Sequence, residues 1–542
     1  MKKLILTFIF FVGSFTHAFS QSVWENTNSD VHPFLYRMAQ KGFIDYNDLI
    51  KPINRVQVLN ALNVLKQNDS VLTSVEKNEL NFYLQEYTIP LKEQISLFKK
   101  DQNKRWRAGA VVANDFEFYI DPLLGVNNFK GTNKNIQQLS NGFELWGAAG
   151  KNKNLGFQVY YRDYTETGTV NNNFREESSA PGYIVIGAKF DNKINYTEIR
   201  ANINYSFKNG NISFGKDNLI WGYGENSNIV LSNKAPAYPY LRLDYKPLKW
   251  LNFNYTHAWL NSNIADSSLS YFTNTGRIND DYRLVFVQKF LATHSVNIQP
   301  MKGLNIAIGE SIVYSDKMDP GFLIPINLFK FYDNNRSNYL IEAGSNGQYF
   351  LSLNSRNQIK NTHFYSTLFI DEIKVSAILN KKESRNQIGF NLGGSITDVF
   401  IPYFTIGAEY TRVNPFVYNN LVPAQNYTSY NYSLGDWMGN NFDRAIIYAK
   451  YTPIPRLKLV GKYQKIRKGG TGTIYDQYNA QPQPIFLFDY QKTRSDLFLQ
   501  AKYEWINNIY FVSSYIITKN KLSDNRIIKD NTFQLSINVG LP

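Results

Sequence analysis

Residues 198–207 read Glu198-Ile199-Arg200-Ala201-Asn202-Ile203-Asn204-Tyr205-Ser206-Phe207 and alternate strictly between polar and apolar side chains. Successive side chains of a β-strand point to opposite faces, so this period of two predicts a strand with one polar and one apolar face. The same alternation recurs over 497–505 and 533–539. Soluble strands usually have about 5 to 6 residues, whereas a tilted strand that crosses a bilayer needs about 9 to 11. The length and alternation therefore predict a transmembrane β-barrel with lipid outside and water inside.

The links between the predicted strands alternate in length. Short links lie at 151–154, 208–210, 247–249, 300–303, 453–455 and 507–508, and long ones at 166–192, 261–282, 315–346, 413–442 and 467–495. Outer-membrane barrels have short periplasmic turns and long extracellular loops in this order. Tracing from Trp106 gives about 18 antiparallel strands, an even number that returns the C-terminus to its starting side. Residues 374–379 are assigned to a loop at 371–386, because a strand there would put the short and long links out of phase.

Two different segments precede this barrel, which we assign to residues 105–542. Residues 1–20 combine Lys2 and Lys3 with the apolar stretch 4–12 and small residues at 18 and 20, which is typical of a cleaved signal peptide. Residues 21–104 carry apolar side chains at helical spacing, and 73–76 has the pattern of a capping box. We predict a small helical domain in the periplasm. It is either a packing or plug module or a docking surface for an envelope protein.

Composition excludes several classes of protein. The 542 residues include no cysteine, which excludes disulfide frameworks, Cys-ligated metals and thiol nucleophiles. After the first twenty positions no apolar run reaches the roughly 18 residues of a membrane helix, so a helical membrane protein does not fit. Lys and Arg number 58 against 44 Asp and Glu, which favours an anionic partner. Export argues against nucleic acid, and leaves acidic polysaccharide or outer-membrane lipid and lipopolysaccharide.

The alternation also predicts which charged side chains face the lumen. The basic set is Arg162, Arg200, Arg242, Lys289, Arg444, Lys450, Lys458, Lys462 and Lys502, and the acidic set is Glu198, Asp217, Asp244, Glu409 and Glu504. This excess of basic residues would attract an anionic polymer. The alternative is an ion-pair network that only fills the interior. A general porin would need this width unobstructed.

Several loop segments resemble one family. The segments are Gly215-Lys216-Asp217-Asn218-Leu219-Ile220-Trp221-Gly222-Tyr223-Gly224, then 229–233 with Pro239, Asp371-Glu372, 409–418 and 434–441. Together they resemble the Wzi-type capsule-assembly outer-membrane proteins. The resemblance implies an 18-stranded barrel with a helical periplasmic domain, closed by its own loops. It also implies a lectin-like role that holds capsular or related polysaccharide at the cell surface.

These segments supply the candidate binding residues. Asp217 and Asn218 offer hydrogen bonds to hydroxyls, and Trp221 and Tyr223 offer ring faces to sugars, unless this segment folds inward as a plug. Near the rim, Glu409 and Arg412 contact ligand or else form an ion pair that fixes the following loop. The full set of candidates is Asp217, Asn218, Trp221, Tyr223, Arg242, Glu409, Arg412 and Trp437. For Trp437, sugar stacking and loop packing are equally open.

Enzymatic interpretations find little support in the sequence. Outside the predicted signal peptide the histidines are His32, His257, His294 and His363, and alternation puts His257 and His294 on the apolar face. Neither a G-x-S-x-G nucleophile nor a two-His metal motif occurs. A glycosidase built on Asp217 and Glu225 would need a separation that sequence cannot give. We predict a non-enzymatic surface polysaccharide-binding protein without cofactor or metal, with a porin or an accessory subunit of an envelope complex as alternatives.

Overall fold

The computed structural model describes residues 22–90, 92–132, 134–169, 177–185, 192–273, 282–337, 344–372 and 386–541. The predicted signal peptide and the segment 374–379 lie outside these residues. Near the N-terminus lie α1 (Val31–Gln40), α2 (Arg55–Gln67) and α3 (Ser74–Tyr87), with short strands β1 (Trp24–Glu25), β2 (Ile50–Lys51) and β3 (Ile53–Asn54). Asn54 caps α2, and the capping box of Thr73 and Glu76 opens α3 as predicted. None of the described helices is both long and apolar enough to span a membrane.

Eighteen antiparallel strands form a closed ring, which confirms the predicted fold class and strand number. The first nine are β6 (Phe116–Gly131), β7 (Lys134–Ala149), β8 (Leu155–Gly168), β9 (Lys193–Phe207), β10 (Gly210–Asp217), β12 (Tyr238–Leu248), β13 (Leu251–Ala265), β16 (Phe286–Met301) and β17 (Leu304–Ser315). The other nine are β18 (Asn346–Arg356), β19 (Thr362–Glu372), β20 (Gln387–Thr397), β21 (Phe404–Val413), β24 (Phe442–Tyr451), β25 (Leu457–Lys468), β26 (Lys492–Glu504), β27 (Ile509–Leu522) and β28 (Ile527–Val539).

The ring begins later than the sequence predicts. It closes where residues 124–131 of β6 pair with β28, and Trp106 instead starts β5 (Trp106–Ala113), a hairpin partner of β4 (Gln94–Lys100). The pairing of β5 with β6 is confined to residues 116–120, before the point where β28 joins β6. The spanning ring therefore starts at Phe116 and not at Trp106, because this hairpin belongs to the same sheet but adds to one edge of β6 without spanning the wall.

The two ends of the barrel differ. Short turns connect the strands at one end, where the N-terminal helices also pack; we call this the helical end. There Gln40 of α1 donates a hydrogen bond of 2.9 Å to the Asn361 carbonyl, and Arg37 donates one of 3.0 Å to Thr397. The long links gather at the opposite end, which we call the loop end. They include the short elements β11 (Ile220–Trp221), β14 (Tyr271–Phe272), β15 (Tyr282–Arg283), α4 (Phe329–Ser337), β22 (Thr428–Ser429), β23 (Tyr432–Ser433) and α5 (Ile474–Tyr478).

A continuous core fills the lumen from both ends. Two loop-end segments, 218–237 and 414–441, fold inward, and we call them the plug. Their buried residues pack against inward side chains of the wall such as Phe350 and Phe369. From the helical end, Leu49 and Ile50 reach the same core, and β2 pairs with β11 of the plug. The helical domain and the plug thus meet inside the barrel.

Candidate functional site

The predicted lumen bases point inward and are engaged by protein groups. Six of them lie within 4.0 Å of carboxylates: Arg200, Arg242, Arg444, Lys450, Lys458 and Lys502. Arg162 and Lys289 donate to the carbonyls of Leu541 and Asn426, and Lys462 lies 5.6 Å from the Phe498 ring. This arrangement agrees with the alternative interpretation, in which these charges hold the contents of the barrel together.

One ion pair joins the plug to the wall. Arg444 on β24 lies 2.7 Å from Asp436 of the plug, and both side chains are 1% exposed. Asp436 also accepts a hydrogen bond of 2.6 Å from Ser227 in the other plug segment. A single carboxylate therefore fastens both halves of the plug to the wall.

A second network lies deeper in the lumen. Glu225 of the plug is 2.5 Å from Lys450 and 3.1 Å from His363 on the wall. Burial by itself raises the pKa of the Glu225 carboxyl, but these two neighbours outweigh it and hold the pKa well below its usual range. From the helical end, Asp48 pairs with Arg356 at 2.9 Å. The plug and the helical domain are each tied to the wall by charge.

The structure corrects the interpretation of Trp221 and Tyr223 as exposed sugar platforms. They are 1% and 2% exposed, since the plug turns both rings into the core. Trp221 packs edge-on against Phe350, and the Tyr223 hydroxyl donates to Asn47 of the helical domain at 3.2 Å. The inward-plug alternative is the one that the structure adopts.

The proposed ion pair between Glu409 and Arg412 is also wrong. The two residues are three apart on β21, so they point to opposite faces of the wall. Glu409 faces the lumen, where it accepts hydrogen bonds from Tyr365 at 2.5 Å and the Asn226 amide at 3.0 Å. Arg412 instead lies 3.8 Å from the Phe486 ring.

The remaining candidates divide between the two ends. Arg242 donates to the Pro52 carbonyl at 3.0 Å and stacks on Trp24, so it belongs to the contact with the helical domain. Asp217 is buried 3.9 Å from Arg200. Asn218 donates to the Ala235 carbonyl at 2.7 Å. Trp437 is half-buried, 5.4 Å from Arg444 and 5.9 Å from Arg494.

Beside the plug lies a cavity of ≈ 760 Å³, which we call the loop-end well. It extends from the loop-end tips of β7, β27 and β28 down to Asn26 and Leu541. Its aromatic lining is Phe129, Tyr160, Tyr164, Tyr183 and Tyr196. Tyr164 and Tyr196 stack at 4.8 Å, and Tyr183 lies 4.4 Å from Tyr196. The volume falls within the about 300–1,000 Å³ of small-molecule sites.

The charges of the well favour an anionic ligand. Its basic lining residues are Lys134, Arg162, Arg200, Lys216 and Arg494, and its acidic ones are Glu177, Glu198 and Asp530. Asn520 Oδ1 and Asp530 Oδ1 are buried there without a hydrogen-bond partner among the described residues. The sequence motifs indicated Asn218 and the lumen set indicated Arg162 and Arg200, but Tyr164, Tyr196 and Arg494 were missed. Alternation could have identified the two tyrosines. Tyr164 is two residues from Arg162 and Tyr196 is four from Arg200, so each tyrosine faces the lumen with the predicted base on its strand.

These features define a class of protein: a transmembrane β-barrel of outer-membrane type, filled by its own loops and by an N-terminal helical domain. Residues 120–315, from β6 to the end of β17, match the family model of the capsule assembly protein Wzi. The resemblance indicated by the loop motifs is confirmed over that range. A barrel of this kind belongs to the outer membrane of a Gram-negative bacterium.

The structure is similar to that of Wzi from Escherichia coli, described as an outer-membrane protein involved in group 1 capsule assembly and as a carbohydrate-binding β-barrel. That similarity has a TM-score of 0.59 at 12% identity and covers 95% of this chain and 98% of that one. OprD of Pseudomonas aeruginosa is 12% identical over 78% of this chain and 94% of its own, with a TM-score of 0.42. OccD3 of the same organism is 13% identical over 83% and 94%, also with a TM-score of 0.42. At these identities the similarity shows the fold alone. No curated protein matches the chain.

Proposed function

We propose that this protein is a surface lectin that binds acidic capsular or extracellular polysaccharide at its loop end. The loop-end well is the observation that carries the proposal. It joins tyrosine rings, polar side chains and an excess of basic groups in one cavity beside a filled lumen. The description of the similar Wzi structure as carbohydrate-binding supports the same ligand class.

The chemistry of the well suits a saccharide. Tyrosine rings offer apolar faces to sugar C–H groups and a hydroxyl to their polar edges. The free oxygens of Asn520 and Asp530 accept hydrogen bonds from sugar hydroxyls, which offset the cost of leaving them buried without a partner. Arg494 donates through Nε to Asp496 and through Nη1 to the Glu177 carbonyl, which leaves Nη2 to donate to a uronate or a pyruvyl carboxylate.

The proposal includes an orientation and an organisation of the chain. The loop end faces the cell exterior and the helical end faces the periplasm, with a signal peptide at 1–20, a helical domain at 21–104 and the barrel at 105–542. Short periplasmic turns and long outer loops support this orientation. The role is binding or anchoring, without a catalytic step or cofactor.

A glycan array of acidic oligosaccharides tests the proposal with the detergent-solubilised full chain. We expect binding that Tyr164→Leu and Arg494→Gln weaken, the latter more strongly at low salt because charge contributes to it. Arg526→Gln is the matched control, since Arg526 lies 74% exposed in a loop-end turn outside the well. Equal binding by Arg494→Gln and Arg526→Gln, or no binding by folded wild type, would contradict the proposal.

Two other functions predict different results. A porin would conduct ions, but the continuous core between Leu49 and the plug leaves this barrel filled, so we expect no steady conductance in a planar bilayer. An accessory subunit would use the helical end, where a cavity of ≈ 1430 Å³ lies between α2 and the barrel turns. A cross-linker placed at Asn60 of the full chain in cells tests that role. An accessory subunit should be captured with an envelope protein from position 60 and not from the control position, Ser523 in a loop-end turn.

A further inference from the structure

One loop-end link folds outside the barrel instead of into it. Residues 316–337, which include α4, lie against the outward face of β13, β16 and β17, and we call this segment the wall hairpin. Phe322 and Phe329 pack there against Tyr255, Ile312 and Tyr314 of the wall. These wall residues have the opposite parity to inward residues such as Leu291 and Val313, which contact the plug. The hairpin therefore covers a part of the barrel surface that would otherwise face lipid.

The contact lies within the depth of the membrane. Tyr255, His294 and Glu310 form one row across the three strands. They stand four to seven residues from the helical-end termini of those strands, Leu251, Met301 and Leu304. A tilted strand gains about 2.5 Å per residue along the membrane normal, so the row lies about 10–18 Å from the helical-end termini of the strands. The apolar band of such a barrel is about 25 Å tall, so this distance puts the row inside the band.

Irregular backbone at this depth has to satisfy its polar groups within the protein. The row of wall residues does this. Tyr255 donates to the Phe322 carbonyl at 2.8 Å, and His294 lies in hydrogen-bond contact with the Pro325 carbonyl at 3.0 Å. Glu310 accepts from the first amides of α4, at 3.0 Å from Phe329 and 2.6 Å from Lys330.

The hairpin also closes on itself. Asp319 on its descending arm accepts hydrogen bonds from the Gly321 amide at 2.8 Å and from the Tyr332 hydroxyl at 2.9 Å. It pairs with Arg336 on the ascending arm. Asp319 and Arg336 thus neutralise each other, and Lys330 lies 3.3 Å from Asp333 within α4, in keeping with the need of charges inside a membrane for partners.

The outer surface of the hairpin is apolar. Ile324, Ile326, Leu328 and Phe331 are 52%, 79%, 57% and 68% exposed. They continue the lipid-facing surface of the wall, where Ile308 is 60% exposed. We propose that the wall hairpin is a lipid-inserted anchor whose apolar tip contacts the acyl chains of the outer membrane.

This proposal also explains two histidines that alternation places on the apolar face. His294 holds the hairpin tip, and His257 contacts the Tyr314 hydroxyl at 2.7 Å. The Tyr314 ring lies 4.6 Å from the Phe322 ring, so the hairpin covers this polar pair. Polar side chains on a lipid-facing wall are costly unless protein covers them.

The absence of native cysteine allows a direct test. A spin label is attached to Ile326→Cys, and the full-length protein is reconstituted in phosphatidylethanolamine–phosphatidylglycerol vesicles. Collisions with either of two reagents relax the label: oxygen, which concentrates among acyl chains, and a nickel chelate, which stays in water. The accessibility of the label to each reagent is measured separately. We expect the oxygen-to-nickel accessibility ratio at position 326 to equal that of the lipid-facing control Ile308→Cys. It should stand far above that of Ser523→Cys in an exposed turn.

Two results at position 326 would overturn the proposal. Nickel accessibility at position 326 would put the hairpin in water, and low accessibility to both reagents would mean that protein covers it. Spin–spin broadening between labels would identify that cover as a second copy of the chain. As a second variant, Glu310→Ala should make the label at 326 more mobile, whereas Glu310→Gln keeps an acceptor oxygen and should change it less. Equal mobility in the two variants would refute the role assigned to Glu310.

Discussion

The ion pair between Asp436 and Arg444 should control how firmly the plug is held. Asp436→Ala leaves the Arg444 guanidinium 1% exposed and without its carboxylate. It also removes the hydrogen bond that Ser227 makes to the other plug segment. Loss of one partner of a buried pair typically costs about 3–5 kcal/mol. We expect this cost to fall on local opening of the plug, because the ring strands keep their own ladders.

Hydrogen exchange measures that opening peptide by peptide. Each 1.4 kcal/mol changes the equilibrium constant of opening about tenfold. Amides of 222–237 and 414–441 should therefore exchange roughly 100- to 3,000-fold faster in Asp436→Ala than in wild type. Amides of the ring strands should not change. The control is Arg467→Ala, because Arg467 is 49% exposed and its pair with Asp443 should be worth less than about 1 kcal/mol.

The double variant Asp436→Leu with Arg444→Met removes both charges together. It should restore much of the protection, since replacing a buried pair by apolar residues is often neutral. If Asp436→Ala exchanges no faster than Arg467→Ala in the plug peptides, the pair does not hold the plug and the reasoning fails.

Three further predictions concern the helical domain. Burial lowers the pKa of His32 from 6.5 to about 4, so the folded domain favours the neutral imidazole. As pH falls from 7 to 4.5, the free energy of unfolding of the domain should therefore decrease by about 2–3 kcal/mol. Hydrogen exchange of α1 should show this decrease in wild type and lack it in His32→Gln. A Cβ at Gly156 would overlap the Ser22 carbonyl, so Gly156→Ala should displace the N-terminal segment and lower its stability by about 1–3 kcal/mol, detected as faster proteolysis there. Gly461→Ala, whose nearest contact is 3.6 Å, should leave proteolysis unchanged. Thr73→Ala removes the capping box of α3 and should lower the free energy of opening of its first turn by about 1 kcal/mol, as measured by hydrogen exchange. Thr73→Ser keeps a capping hydroxyl and should show little of this effect.

The wall of the barrel could be predicted because each strand carries its own signal. Alternation such as that at residues 198–207 indicates which side chains face the lumen, and the nine basic residues assigned to the lumen in this way do point inward, whereas Arg356 and Arg494 were missed. The ring start was missed, since alternation does not tell a spanning strand from the hairpin at Trp106. That distinction depends on which strand closes on β28, far away in sequence.

The loops could not be predicted to the same extent because their paths depend on tertiary contacts. Trp221 looks the same in sequence whether it faces solvent or packs on Phe350. The parity of His294 was predicted correctly, but nothing local indicates that residues 316–337 return to cover it. The loop-end well combines β6 to β9 with β26 to β28, and only ring closure brings Tyr164 near Arg494.

Binding of the organism's own purified acidic surface polysaccharide tests the central claim most directly. The detergent-solubilised wild type should retain the polymer saturably, less so at moderate than at low salt, and Tyr164→Leu should retain less of it. Arg526→Gln should bind as wild type does. Retention that neither saturates nor decreases in Tyr164→Leu would contradict a polysaccharide site at the loop end. A folded protein that retains no polymer and conducts ions would contradict the account of a filled barrel as well.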